Sequence, residues 1–357
     1  MRKMTTKTKA SLLYTTAILF VIGWWSWGLY QPETPPPQRV SAPLLPERQE
    51  LKQALQGDFS LMAVLIGKWQ TLDRQEQLLA SLISENLSSE MCPSNGVTDD
   101  LGQHLPTTHP YRRLLPQTYM AATILFALCP EEIIAIPSGF RTQEHLYPPE
   151  TIGAVALNLD TFFAEKLAQE QPEIAFVANY SNPTTIETLK EHHVPLYTTI
   201  HTDTPTAIDT TIRNIGDLVG KSLQAELMVL FLKAALKHID NSLEHHFLTH
   251  TYPKLLLAYD HRTLTLPDKG TLQDHLLTRL KINTNQPRGI TLNKEKIDTD
   301  CLLLCTHTTP LILNSIDQDP FFRQIPYRLI EDEIMNSPTQ FYVLAYYDLA
   351  QILMEVS

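Results

Sequence analysis

Four short runs, Ile133 to Ile136, Ile174 to Ala178, Leu255 to Ala258 and Cys301 to Cys305, are apolar at every position. A strand with one wet face alternates polar and apolar residues, whereas a strand apolar on both faces needs helices on both sides, the setting of parallel sheets. Longer segments with helical spacing lie between these runs. Several open with a capping residue followed by proline, as in Asn182-Pro183, Thr204-Pro205, Asp319-Pro320 and Ser337-Pro338, a pairing that starts helices. The alternation predicts an α/β fold. One segment breaks it: Lys221 to Leu248 reads as a single helix, with Leu223, Leu227, Leu230, Ala234 and Phe247 as its apolar stripe. At ~1.5 Å per residue it would run about 42 Å, and it separates two αβ halves.

Composition narrows the function. The chain has 357 residues, enough for about two domains, and its 43% hydrophobic against 19% charged residues supply a packed core. Lys plus Arg number 28 and Asp plus Glu 39, a net charge of −11, which argues against nucleic acid as a partner. With only 12 Gly and no GxGxxG or GxxxxGK[ST], a glycine-rich phosphate cradle is not expected. Nor does GxSxG, HExxH or CxxC occur, and no carboxylate pair is marked for acid and base roles, so an enzyme is not expected.

The N-terminus sets the expected compartment. Ser11 to Tyr30 is an apolar stretch preceded by Arg2, Lys3, Lys7 and Lys9, long enough to span a hydrocarbon layer of ~30 Å. Cations on this side place the rest of the chain outside the cytoplasm. Small residues at Ser26 and Gly28 would suit a signal peptidase, but three Trp crowd the site, so a retained signal-anchor over residues 1–31 is the expectation. No Cys follows the apolar run that would take a lipid. Pro32, Pro35, Pro36, Pro37, Pro43 and Pro46 form a stiff spacer, and Glu47 to Leu87 carries helical spacing for two or three helices. Met91 to Pro110 reads as a loop, and residues 32–110 together form a tether and helical extension. Cys301 and Cys305 stand too far apart along a strand to bridge, and core packing is their role. A Cys92 to Cys129 disulfide is chemically open outside the cytoplasm.

Several segments follow a known order. Leu115-Pro116 with Ala122 to Leu128, then Glu131 to Ile136, Gln171 to Val177 and Thr185 to Leu196 lead to Ile212-Arg213-Asn214-Ile215-Gly216-Asp217-Leu218-Val219-Gly220-Lys221 and Ala225-Glu226. Gly270 to Leu277, Thr291-Leu292, Glu295 and Asp300 to Leu304 follow. From about Leu114 to the C-terminus this resembles the class III substrate-binding proteins of ABC importers, which have a helical backbone and serve iron-siderophores, haem, cobalamin and, in a related branch, metal ions. The resemblance implies two Rossmann-like αβ lobes with mainly parallel sheets, residues 111–220 and 251–357, joined by one long interlobe helix within 221–250. It also implies a monomer that has no cofactor of its own and delivers a small-molecule cargo to an inner-membrane permease. The chain departs from the family at Thr123, usually a glutamate, and at Cys129, usually a glycine. The carboxylates that pair with permease arginines are missing near Pro183 and at Ile282 to Asn285; Glu187, Glu191 and Glu295 are the nearest substitutes.

In such a fold the cargo lies between the lobes, at the loops after the strand ends. Those loops offer Tyr119; then Phe140, Arg141, His145 and Tyr147; then Tyr180; then His201 and Asp203; and in the second lobe Tyr259, Asp260, His261, Arg262 and His307. Two chemistries compete. Phenolates at Tyr119, Tyr147, Tyr180 and Tyr259 suit ferric or haem iron, and Arg141 and Arg262 suit carboxylates or propionates. Tyr147-Pro148 sits where haem-binding relatives often have a Tyr ahead of Pro, which makes Tyr147 the first choice. Alternatively His145, His201, His261 and His307, with Asp203 or Asp260, would hold Zn or Mn. Tyr180 and Tyr259 also read as lobe-packing aromatics, and the arginines as surface charges. The leading expectation is a tethered, periplasmic binding protein for an iron chelate, haem or cobalamin. The alternatives are a His-based metal carrier and an envelope scaffold that has lost its cargo.

Overall fold

The computed structural model describes residues 44–357 except 92–94, 160–165, 167–168, 261–263, 266, 283–298, 306–317, 319 and 321–323. The first sheet holds β3 (Leu114–Pro116), β4 (Ala135–Ile136), β5 (Leu157–Asn158), β6 (Ile174–Ala178) and β7 (Leu196–Thr199). Every pairing is parallel: β5 with β4, β3 with β6 and β6 with β7, while a single Leu114 to Ile133 bridge joins β4 to β3. The order is therefore β5-β4-β3-β6-β7. β6 shows why its sequence is apolar throughout. Ile174 and Phe176 enter the main core, while Ala175 and Val177 enter a second cluster with Leu115, Leu189 and Leu196 on the opposite face. Helix α4 (Tyr119–Leu128) starts at Thr118, whose hydroxyl accepts the Ala121 N–H, and is buried from Met120 to Leu128. Helices α6 (Pro183–Glu191) and α7 (Pro205–Leu218) begin at the caps Asn182 and Thr204 with proline next, as the sequence predicts.

The second sheet comprises β8 (Leu255–Asp260), β9 (Leu264–Thr265), β10 (Cys301–Cys305) and β11 (Tyr327–Ile330), in the order β11-β10-β8-β9. β8, β10 and β11 are parallel, and β9 turns back antiparallel on β8. Between the sheets runs α8 (Ser222–His246), about 37 Å at the standard rise. The corner that leads into it explains the motif around Gly216 and Gly220. A Cβ at Gly216 would lie 2.3 Å from that of Ala225, so glycine lets α7 approach α8 closely. Gly220 has φ +72°, a left-handed exit from α7 that glycine adopts without strain.

The extension forms three helices: α1 (Arg48–Leu55), α2 (Phe59–Trp69) and α3 (Arg74–Ser84). They belong to the body. α2 and α3 pack along α8, and Leu51, Ala54, Leu55 and Met62 are fully buried. Arg48 holds Asp348 of the C-terminal helix α11 (Tyr342–Val356) at 2.7 and 2.9 Å.

Three expectations are corrected. The segment read as a loop contains a hairpin of β1 (Val97–Thr98) and β2 (His104–Leu105), too short to show a period. Its tip closes the edge of β7: Asp99 accepts the Thr198 N–H at 3.1 Å, and Asp100 accepts those of Ile200 and His201 at 2.6 and 2.9 Å. Ser337-Pro338 does not open a helix, because the Thr339 hydroxyl accepts the Phe341 N–H and α11 starts only at Tyr342. The long helix stops at His246 rather than Leu248. Among the described residues no helix is long and apolar enough to cross a membrane; Ser11 to Tyr30 lies outside them.

Candidate functional site

At the strand ends of the first lobe, Tyr119 stands one turn past β3 with 48% of its surface exposed. Its ring meets Phe140 edge-on at 6.2 Å. The hydroxyl lies so close over Gly139 that a Cβ there would sit 1.8 Å away, so the glycine sets the phenol's place. Tyr180, after β6, is 78% exposed, on a turn where Ser181 Oγ accepts the Ala178 N–H at 3.0 Å. His201 and Asp203 are exposed after β7.

Three other expected residues are engaged elsewhere. Tyr147 is 1% exposed. Its hydroxyl donates to the Thr123 carbonyl at 2.6 Å and accepts from Gln340 Nε2 at 3.0 Å. Burial pushes the phenol well above its ordinary pKa, which keeps it protonated in a core node that Gln340 also ties to the Leu55 carbonyl. Tyr147 thus presents no oxygen to a cleft, contrary to its choice as first ligand. Arg141 is turned onto its own lobe, donating to Asn158 Oδ1 and the Val155 carbonyl at 2.6 Å each. It fixes the loops around β5, and its fork is closed to a carboxylate ligand. His145 reaches across to Glu333 at 3.2 Å. Burial lowers its pKa, with Glu333 and Glu331 opposing.

The His set is not assembled among the described residues, where no group of three or more His, Cys, Asp or Glu is placed to hold a metal. His261, Arg262 and His307 lie outside the described residues, and Tyr259 is placed by its backbone in β8, opposite Thr265. Cys92 is likewise outside; Cys129 is buried with a free thiol, and burial raises its pKa.

Between the lobes lies an open groove of about 610 Å³, walled by Pro205 from α7, Leu236 from α8, and Lys269, Asp274, His275, Leu276, Thr278 and Arg279 on and before α9 (Leu272–Arg279). Leu236 and Leu276 form a buried apolar floor, while Lys269, His275 and Arg279 are exposed. The wall is rigidly built. Thr271 caps α9, and Asp274 accepts the Gly270 N–H at 2.7 Å. Arg279 binds Asp240 of α8 at 2.5 Å and lies 5.5 Å from the Tyr346 ring centre. Asp209, one turn after Pro205, keeps Oδ1 buried without a partner among the described residues, and burial pushes its pKa up to about 6. An apolar floor beside an exposed ammonium and imidazole can receive a ligand with an apolar body and a polar or anionic edge. Sequence reasoning missed Lys269, His275 and Arg279; the available signal was the Gly270-Thr271 cap followed by His275 and Arg279 four apart, on one helix face.

No family model matches the sequence, and no curated protein matches it. Solved structures do. A possible iron-binding, periplasmic solute-binding protein from Staphylococcus epidermidis is 17% identical, over 68% of this chain and 98% of that one, with a TM-score of 0.58. A periplasmic haem-binding protein from Roseiflexus sp. RS-1 is 16% identical, over 69% and 99%, with a TM-score of 0.54. A molybdate-binding periplasmic protein from Haemophilus influenzae is 14% identical, over 72% and 90%, also at 0.54. The chain therefore has the two-lobed αβ fold of class III periplasmic solute-binding proteins, as its segment order implied.

Proposed function

We propose that this chain is a solute-binding protein, not an enzyme, which captures an anionic metal chelate or haem between its lobes outside the cytoplasm and hands it to an ABC importer. The observation that carries this reading is the interlobe groove, where Lys269 and His275 stand exposed beside the apolar floor of Leu236 and Leu276 and Arg279 is held in place by Asp240. The fold adds support, since neighbours that share it are described as binding iron, haem or molybdate. Tyr119 and Tyr180, the exposed phenols of the first lobe, are the residues that would cover or ligate an iron-bearing cargo. Glu187 and Glu191, exposed one turn apart on α6, are the carboxylates that would meet permease arginines. A helix running through both lobes restricts closure to small movements.

A thermal-shift screen of the full chain in detergent tests it, with ferric siderophores, haemin, molybdate, cobalamin, Zn(II) and Mn(II). A ligand at ~100 times its dissociation constant adds ~2.7 kcal/mol to the folded state. A shift with a carboxylate siderophore or haemin is the expected result. A shift confined to bare Zn(II) or Mn(II) replaces this reading with the His-based carrier, and no shift across the panel replaces it with the scaffold.

A further inference from the structure

We infer that the α2–α3 hairpin is a membrane-contact face, which lays the body against the lipid surface beside the point where the N-terminal tether leaves it. The inference rests on reading Ser11 to Tyr30 as a retained anchor. Helix α3 turns Ala80 and Ile83 inward, each 3% exposed, yet its outer side carries Leu78, Leu79 and Leu82 at 62%, 41% and 51% exposure. Val64 on neighbouring α2 is 64% exposed. Helices apolar on the inside and again on the outside fit an environment that is apolar on both sides.

The place where the described chain begins supports the lipid as occupant. Leu44, 79% exposed, has its carbonyl held by His238 Nε2 of α8 at 3.0 Å. The His238 ring stacks at 5.0 Å on Trp69, the last residue of α2. Five residues earlier on α8, Lys233 pairs with Glu76 of α3, and Thr71 between α2 and α3 donates to the Ala234 carbonyl at 2.9 Å. The described chain thus starts beside the hairpin. Residues 31–43, five of them proline, reach at most ~40 Å when extended, which bounds how far the anchor's bilayer can lie from Leu44.

Charge agrees. Lys68, Arg74 and Lys237 are exposed around the same face with no ion pair among the described residues. Lys68 lies close enough to His238 to act on its titration. Of the carboxylates on α3, Asp73 caps the helix and Glu76 holds Lys233, while Glu85 stands exposed at its C-terminal end. Exposed leucines with exposed Lys and Arg on the same helices suit the boundary between acyl chains and anionic headgroups.

The test uses the full chain, with Cys92→Ser, reconstituted in phosphatidylethanolamine and phosphatidylglycerol vesicles, and nitroxide labels at L78C, L82C and, as reference, Y180C. Vesicle flotation reports the anchor, and relaxation by oxygen against a water-soluble Ni(II) chelate reports the face. The expected result is an oxygen-to-nickel ratio several-fold higher at 78 and 82 than at 180, with unchanged melting. Chain that floats with equal ratios at all three positions overturns the membrane face and leaves the anchor standing. Dipolar broadening between labels on separate copies overturns it in favour of a second copy of the chain. Failure to float overturns both readings.

Discussion

The strand-end loops of the first lobe and the α9 wall of the groove are both rich in polar side chains, but they differ in how much of that polarity the fold already uses. In the first lobe Arg141 donates to Asn158 and Val155, Tyr147 to Thr123, and Asp100 accepts two amides of the β7 exit. Along the α9 wall, Lys269 and His275 are exposed, while Arg279 is tied to Asp240 and Asp274 accepts the Gly270 N–H. The binding capacity of such a surface follows from which groups remain unsatisfied, because a group already bonded must give up its partner before it can meet a ligand.

The largest effect should come from the aromatic support of the first lobe. Phe126 stacks on Phe140 at 5.2 Å and touches Tyr147 at 5.4 Å, and Tyr147 meets Phe341 at 5.6 Å. Phe126→Ala should cost about 3–5 kcal/mol of stability in denaturant unfolding. A loss below ~1 kcal/mol would mean that these loops are not anchored in the core, and the contrast with α9 would collapse.

Asp209 sharpens the contrast from the other side, as a half-buried carboxylate of α7 whose Oδ1 is buried and finds no partner among the described residues. Its pKa of about 6 lies above the ordinary 3.8, so folding takes up a proton between these values. Stability should therefore be unaffected by this group below about pH 4 and fall as pH rises towards about 6. Asp209→Asn should raise stability by about 1–3 kcal/mol at pH 7.5 and by almost nothing at pH 4. An equal gain at both pH values would tie the effect to packing instead of charge.

Much of the fold was legible because its strands are continuous apolar runs. The apolar run Ile174 to Ala178 coincides with β6, since both of its faces are dry. The β1–β2 hairpin was not legible: two-residue strands carry no period, and the pairing of Asp99 and Asp100 with Thr198, Ile200 and His201 spans about a hundred positions. The site was less legible than the fold for the same physical reason. Residue type marks what Tyr147 and Arg141 can do, but only tertiary contacts show that their polar atoms are taken.

Tyr147→Phe tests that statement with a smaller change. Loss of the hydroxyl leaves the Thr123 carbonyl and Gln340 Nε2 short of one partner, which should lower stability by about 1 kcal/mol. Affinity of the folded protein for whichever chelate or haem binds should stay the same by titration calorimetry. A tenfold weaker ligand with unchanged stability would return Tyr147 to the site.

The smallest expected effect probes the groove. Lys269→Ala removes an exposed charge that no described group uses, so the unfolding midpoint should not move. Affinity for an anionic chelate should drop by about threefold to tenfold, on the order of 1 kcal/mol. Salt separates the possible causes. An exposed cation acts through a field that is screened over ~10 Å at 0.1 M ionic strength, so the variant and the parent should converge as salt rises. A loss of affinity that persists at high salt would instead make Lys269 a direct hydrogen-bond donor to the ligand, and would place the cargo deeper against α9 than an exposed cation requires.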